Sequence, residues 1–310
     1  MLHIFYSIAP IFVLIVLGNI LKRNGIPDVN FWNVNDKLVY WVLFPCLLFS
    51  KTSTMSVGFG DAAPYLTAGI GAFLAASAFS LISAKLARLE NPVVSSVLQG
   101  GARHNTFIAL AVAERIHGSE GLATAALMTA VLIPVTNVMM VTSMVVLHGG
   151  PREGGLLVPI MRDLGRNPLL LACALGIGYN ATGFGEMPVL HETVSLLGLA
   201  SLPIVLLCIG ANLRAESIKT AGLPLFLSMV GKLMVFPAAT ILFSAILGLS
   251  ELQTAVLLIY SAVPTASSAY TLARQMGGDA HLMAAIITIQ TVISFVTLPL
   301  TLDFAIRLVQ

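Results

Sequence analysis

The chain has 310 residues, 57% of them hydrophobic and only 10% charged, whereas ordinary soluble domains are about a quarter charged. A soluble globular protein is excluded, and the net charge of +2 without a Lys/Arg cluster excludes a nucleic-acid partner. If a span takes roughly 20 apolar residues, ten spans use about 200 and leave no room for a folded extramembrane domain.

In chain order, runs with little or no charge fall at about Ile4 to Leu21, Val34 to Ser50, Ala62 to Ala84, Asn91 to Ala113, Gly121 to Leu147, Asn167 to Gly185, Pro188 to Leu213, Gly222 to Leu247, Leu252 to Ala273 and Leu282 to Leu302. These are continuous and helix-length, so they predict ten transmembrane helices in a lipid bilayer rather than the alternating segments of a barrel. The first run lacks a basic leader and an A-x-A site and ends in Lys22-Arg23, so it reads as a retained span. Cys46, Cys173 and Cys208 lie inside apolar runs without CxxC spacing, which predicts neither a disulfide nor a metal site. No cofactor is expected.

Orientation follows from the basic residues. The connections after odd-numbered spans hold Lys22, Arg23, Lys37, Lys85, Arg88, Arg152, Arg162, Arg166, Arg214, Lys219 and Arg274, against Lys51, Arg115 and Arg307 on the other side. The positive-inside rule then places both termini outside the cytoplasmic (inner or plasma) membrane.

The second half of the chain matches the first when shifted by about 160 positions, the repeat length read here. Phe44-Pro45 meets Leu202-Pro203, Pro64 meets Pro224, and Thr106, Arg115, Gly118 and Glu120 meet Thr265, Arg274, Gly277 and Asp279. Further on, Ala125, Ala126 and Thr129 meet Ala284, Ala285 and Thr288. Five spans per copy is an odd number, so the copies, residues 1–150 and 151–310, must lie in opposite orientations, the plan of many secondary transporters.

Carriers of this plan bind substrate where broken helices meet near the bilayer midplane. Span 4 is interrupted by Gln99-Gly100-Gly101-Ala102-Arg103-His104-Asn105-Thr106, where the paired glycines weaken the helix and Asn105 or Thr106 can cap its resumption. Span 9 carries Pro264 deep in its apolar run, among Ser261, Thr265, Ser267 and Ser268. Both breaks fall at equivalent places in the repeat. Two helix N-termini aimed at the midplane, each with roughly half a positive charge, favour an anion.

Arg103 and Lys232 are the two cations inside spans, and they are candidates to attract a carboxylate; snorkelling or pairing with a carbonyl is the structural alternative. His104 is the candidate proton carrier, because its reference pKa lies near neutrality. Asn137 and Gln290 are candidates to face the cavity or to join helices by hydrogen bonds. H-E-x-x-H, G-x-S-x-G and Walker patterns are missing, so an enzyme is not expected.

Several segments together resemble the auxin efflux carrier family, which contains the plant PIN proteins and many bacterial permeases. They are Ala9-Pro10-Ile11 to Gly18, Phe44-Pro45, Arg103-His104-Asn105-Thr106-Phe107-Ile108 leading to Gly118, Gly231-Lys232 followed by Pro237, and Ala262-Val263-Pro264. The resemblance implies an all-α membrane protein of ten helices, in two inverted five-helix repeats with crossed, broken helices 4 and 9. It also implies an elevator motion, a homodimer and organic-anion substrates such as malate or malonate. Asn105 and Pro264 correspond to the crossover residues around which the carboxylate binds. PIN proteins carry Pro where this chain has His104, and the long loop after span 5 is absent, which points away from auxin.

The sequence therefore predicts a carrier that moves a small mono- or dicarboxylate by alternating access. Spans 1, 2, 6 and 7 form the scaffold and spans 3–5 and 8–10 the moving part. The expected site is Asn105, Thr106, Pro264, Thr265 and Ser267 with Arg103 and Lys232, and Pro45 and Pro203 mark kinks. A sodium-coupled symporter of the bile-acid type and a membrane-embedded enzyme or sensor are the alternatives.

Overall fold

A computed structural model describes residues 2–54, 59–148, 162, 165–213 and 222–309. The described residues are helical, without strands. Arg152, Arg214 and Lys219 of the orientation count, and the expected boundary between the two halves, lie outside them. Among the described residues, six helices are long and apolar enough to cross a membrane by length and composition.

The helices are α1 (Leu2–Arg23), α2 (Val29–Leu38), α3 (Phe44–Ser53), α4 (Phe59–Leu86), α5 (Asn91–Ala102), α6 (Thr106–His148), α7 (Pro168–Thr182), α8 (Pro188–Ala211), α9 (Gly222–Val230), α10 (Phe236–Leu247), α11 (Glu251–Ala262), α12 (Ser268–Met276) and α13 (Ala280–Val309). Single π-helical turns, Val39–Leu43 and Gly231–Val235, join α2 to α3 and α9 to α10. Each precedes a Phe-Pro pair, Phe44-Pro45 or Phe236-Pro237. Proline offers no N–H and its ring crowds the carbonyl four residues back, so a widened turn lets the chain continue as one span. Pro203, by contrast, lies inside α8.

The expected fourth and fifth spans are divided by Gly118 (φ +62°, ψ −149°), the non-helical residue within α6. The fewer spans picked out by length have a local cause. α7 has only 15 residues, the second expected span carries Asp36 and Lys37 with Lys51 at its end, the fourth and fifth are taken together as Asn91–His148, and the ninth is divided by an unwound stretch.

Packing sorts the helices into two groups. α1 packs on α8, and α3 packs on α7 and α8; separately, α4 packs on α5 and α10, α9 on α5, and α11 on α6 and α13. In the first group, a Cβ added at Gly210 would stand 1.7 Å from the Ile15 carbonyl oxygen. Only glycine lets these two backbones touch, and the Asn19 amide fastens the contact by donating to the Gly210 carbonyl at 3.0 Å.

Candidate functional site

The paired glycines do not unwind the first break. α5 continues through Gly100 and Gly101 to Ala102, and the chain leaves the helix at Arg103 (φ −66°, ψ 135°). A Cβ on Gly101 would meet the Ser80 hydroxyl at 2.0 Å, and one on Gly100 would meet Ile286 at 2.8 Å. These glycines serve close packing of α5 against α4 and α13, which offsets their low helix propensity. Asn105 then caps α6, its Oδ1 accepting from the Phe107 and Ile108 N–H groups at 3.1 Å each.

In the second break, α11 ends at Ala262, Val263 is extended, and α12 begins at Ser268. The two breaks meet. The Asn105 N–H donates to the Pro264 carbonyl at 2.9 Å. The Gly100 carbonyl, freed by the end of α5, accepts from Thr265 Oγ1 at 3.0 Å and from Gln290 Nε2 at 2.8 Å. Gln290 Oε1 accepts in turn from the Thr265 N–H at 2.9 Å. Asn105, Thr265 and Gln290 are all buried. Irregular backbone at membrane depth is tolerated when its polar groups are paired inside protein in this way.

Beside the crossing is a cavity of about 190 Å³. Arg103, His104, Thr106, Ala266 and Ser268 contribute from the two breaks, and Tyr40, Thr136, Asn137 and Asn167 from other helices. Arg103 spans it, donating through Nη2 to Ser268 Oγ at 3.2 Å and to Asn137 Oδ1 at 3.3 Å. Both partners are neutral. Six buried side-chain polar atoms have no hydrogen-bond partner among the described residues, and three of them, Arg103 Nη1, His104 Nδ1 and Thr136 Oγ1, belong to this lining. Buried polar groups are normally satisfied, so three lining residues that each carry an unpartnered polar atom make this wall polar in character.

The electrostatics agree. The N-termini of α6 and α12 open on the cavity through Thr106 and Ser268, adding their partial positive charge to that of Arg103. No carboxylate stands among the lining residues.

The structure does not bring every expected site residue to the cavity. Asn105, Pro264, Thr265 and Gln290 form the frame that holds the crossing together. Ser267 lines a second cavity of about 360 Å³ that shares Ser268 with the first and contains Asp36 and Asn212. Lys232 is fully buried on the π turn after α9. Its Nζ donates to the Tyr260 carbonyl at 3.2 Å and stands 4.6 Å from the centre of the Phe236 ring. Tyr260 and His104 rings pack edge to face at 5.2 Å, so Lys232 lies behind residues that reach the crossing and is not among the lining residues.

Sequence reasoning did not single out Tyr40, Thr136 or Asn167. For Asn167 a local signal exists: Asn-Pro before an apolar run marks a helix start, and its Oδ1 caps α7 at the Leu169 N–H, 3.0 Å. Tyr40 and Thr136 are typical of membrane helices and carry no comparable signal.

Comparison with known proteins bears on the same conclusion. Residues 155–302 match the family described as membrane transport protein. The match covers just under half of the chain and, with the relatives below, supports a membrane transporter. The chain is 25% identical over 305 residues to an uncharacterized transporter of Methanothermobacter thermautotrophicus, covering 95% of this chain and 96% of the relative. It is also 22% identical over 299 residues to an uncharacterized transporter of Methanocaldococcus jannaschii, with 94% and 95% covered. The auxin-carrier resemblance and the transporter reading agree with these matches, and the matches together with the apolar helices support a multi-pass membrane protein.

Proposed function

We propose that this transporter is a secondary carrier for a small organic anion, a carboxylate, held in the cavity beside the crossing of the two broken helices. The observation that carries this reading is a cavity opened by two helix N-termini and lined by Arg103, His104 and Thr136, each of which has a buried polar atom without a hydrogen-bond partner among the described residues. An arginine and two positive helix ends fit an acceptor-rich anion, and the missing carboxylate argues against a cation as cargo.

Ten spans in two inverted repeats account for the rest of the architecture. The π-interrupted α2–α3 and α9–α10 each make one span, and the pairs α5 with the first part of α6, and α11 with α12, make the two broken ones. The tight packing among α1, α3, α7 and α8 supports a scaffold built from spans 1, 2, 6 and 7. The remaining spans carry the crossing and move against it by an elevator motion. With both termini outside the cytoplasmic membrane, Asn33, Asn167 and Asn212 lie toward the cytoplasm, and the two cavities form an inward-facing vestibule. His104 is the cavity group of the chemical type that can carry a proton, and in this reading it couples transport to protons. As in the family it resembles, the chain works as a homodimer.

Reconstitution into proteoliposomes tests this. Uptake of a labelled mono- or dicarboxylate that saturates and responds to a pH gradient is the expected result. Absence of flux for every organic anion, together with ligand-dependent hydrolysis or signalling, would overturn it.

A further inference from the structure

The cavity's charge inventory narrows the substrate class. Arg103 is the one permanent cation among the described lining residues. It holds two neutral oxygens through Nη2, and its Nη1 has no hydrogen-bond partner among the described residues. The second in-membrane cation, Lys232, is committed to the Tyr260 carbonyl and the Phe236 ring and does not reach the cavity. Around Arg103 the polar groups are uncharged: Thr136, Asn137, Asn167 and Ser268.

Beyond Ser268 the adjoining cavity presents Asp36, whose Oδ2 accepts from the Asn212 amide at 2.9 Å. A ligand long enough to pass Ser268 therefore meets a carboxylate, not a second cation. A second negative charge would be desolvated without a partner and repelled from that side. Size gives a further limit. A cavity of about 150 Å³ takes up benzene, so one of about 190 Å³ suits a molecule of roughly six to eight heavy atoms.

On the reading that the cavity binds a carboxylate, we infer that the transporter selects small singly charged carboxylates over dicarboxylates, with Arg103 as the anchor of the one charged group. The sequence left mono- and dicarboxylates open. The cavity decides between them by supplying one counter-charge among its described lining residues.

The test is binding to the full-length protein in nanodiscs at pH 8, where carboxylic acids are fully ionised and an ordinary histidine is neutral. Probes are matched in length: propanoate against malonate, and butanoate against succinate. In each pair the monocarboxylate is expected to bind at least tenfold more tightly. Arg103→Gln is expected to lose at least tenfold in monocarboxylate affinity, and Arg103→Lys, which keeps the charge but not the fork, to lose less. Thermal unfolding of each variant checks that it is folded. Dicarboxylates that bind as tightly as their partners, or more tightly, would overturn the inference while leaving the anion carrier standing. Binding of neither class would remove both.

Discussion

The backbone N–H of Asn105 donates to the carbonyl of Pro264 at 2.9 Å, so the two interrupted helices are joined at the residues where each comes apart. Asn105 uses its side chain as well, capping α6 through two further N–H groups. One residue thus fixes both the crossing and the direction of a positive helix end. Asn105→Ala keeps the crossing bond but removes the cap. It is expected to cost about 1 kcal/mol of stability and to reduce carboxylate affinity, measured by thermal unfolding and by titration.

Gln290 bridges the same crossing, accepting from the Thr265 N–H and donating to the Gly100 carbonyl. Gln290→Leu leaves both backbone groups without that partner inside the protein, at about 1–3 kcal/mol for an unsatisfied group. Gln290→Glu keeps the acceptor for Thr265 but turns a second oxygen toward Gly100. Both variants are expected to unfold at lower temperature than wild type and to lose most of their flux.

Thr136 offers a different signature. Its hydroxyl is buried in the cavity wall without a partner, so Thr136→Val removes a polar group of the kind that costs about 1–3 kcal/mol when unsatisfied. The ligand-free protein is expected to become more stable while carboxylate affinity falls. A hydroxyl that only fills space would leave affinity unchanged in the same titration.

The glycines of α5 make a packing prediction. A methyl at Gly101 meets the Ser80 hydroxyl at 2.0 Å and its Cβ at 2.9 Å. Gly101→Ala is therefore expected to destabilise the protein by about 1–3 kcal/mol, the usual cost of overpacking. Ser80→Ala removes the closer of the two atoms and should recover part of that loss in a double-mutant cycle.

Much of this architecture is legible in the sequence because membrane helices announce themselves by length and apolarity, and Pro264 and the polar run around Asn105 mark the breaks. The glycines mislead because low helix propensity looks the same whether a residue unwinds a helix or admits a neighbour; Ser80, twenty residues upstream, decides which. Lys232 illustrates a second limit. Charge in a span is visible, but the face it occupies depends on Tyr260 and Phe236, whose packing no local pattern encodes. The cavity itself is assembled from residues such as Tyr40, Thr136 and Asn167 on separate helices, and their proximity exists only in the folded chain.

The most direct test of a carboxylate held at the crossing is uptake of a panel of small labelled carboxylates into proteoliposomes, with wild type beside folded Arg103→Gln. Saturable uptake of at least one monocarboxylate by wild type, lost in the variant, is the predicted result. No anion uptake by wild type, or equal uptake by the two proteins, would contradict it.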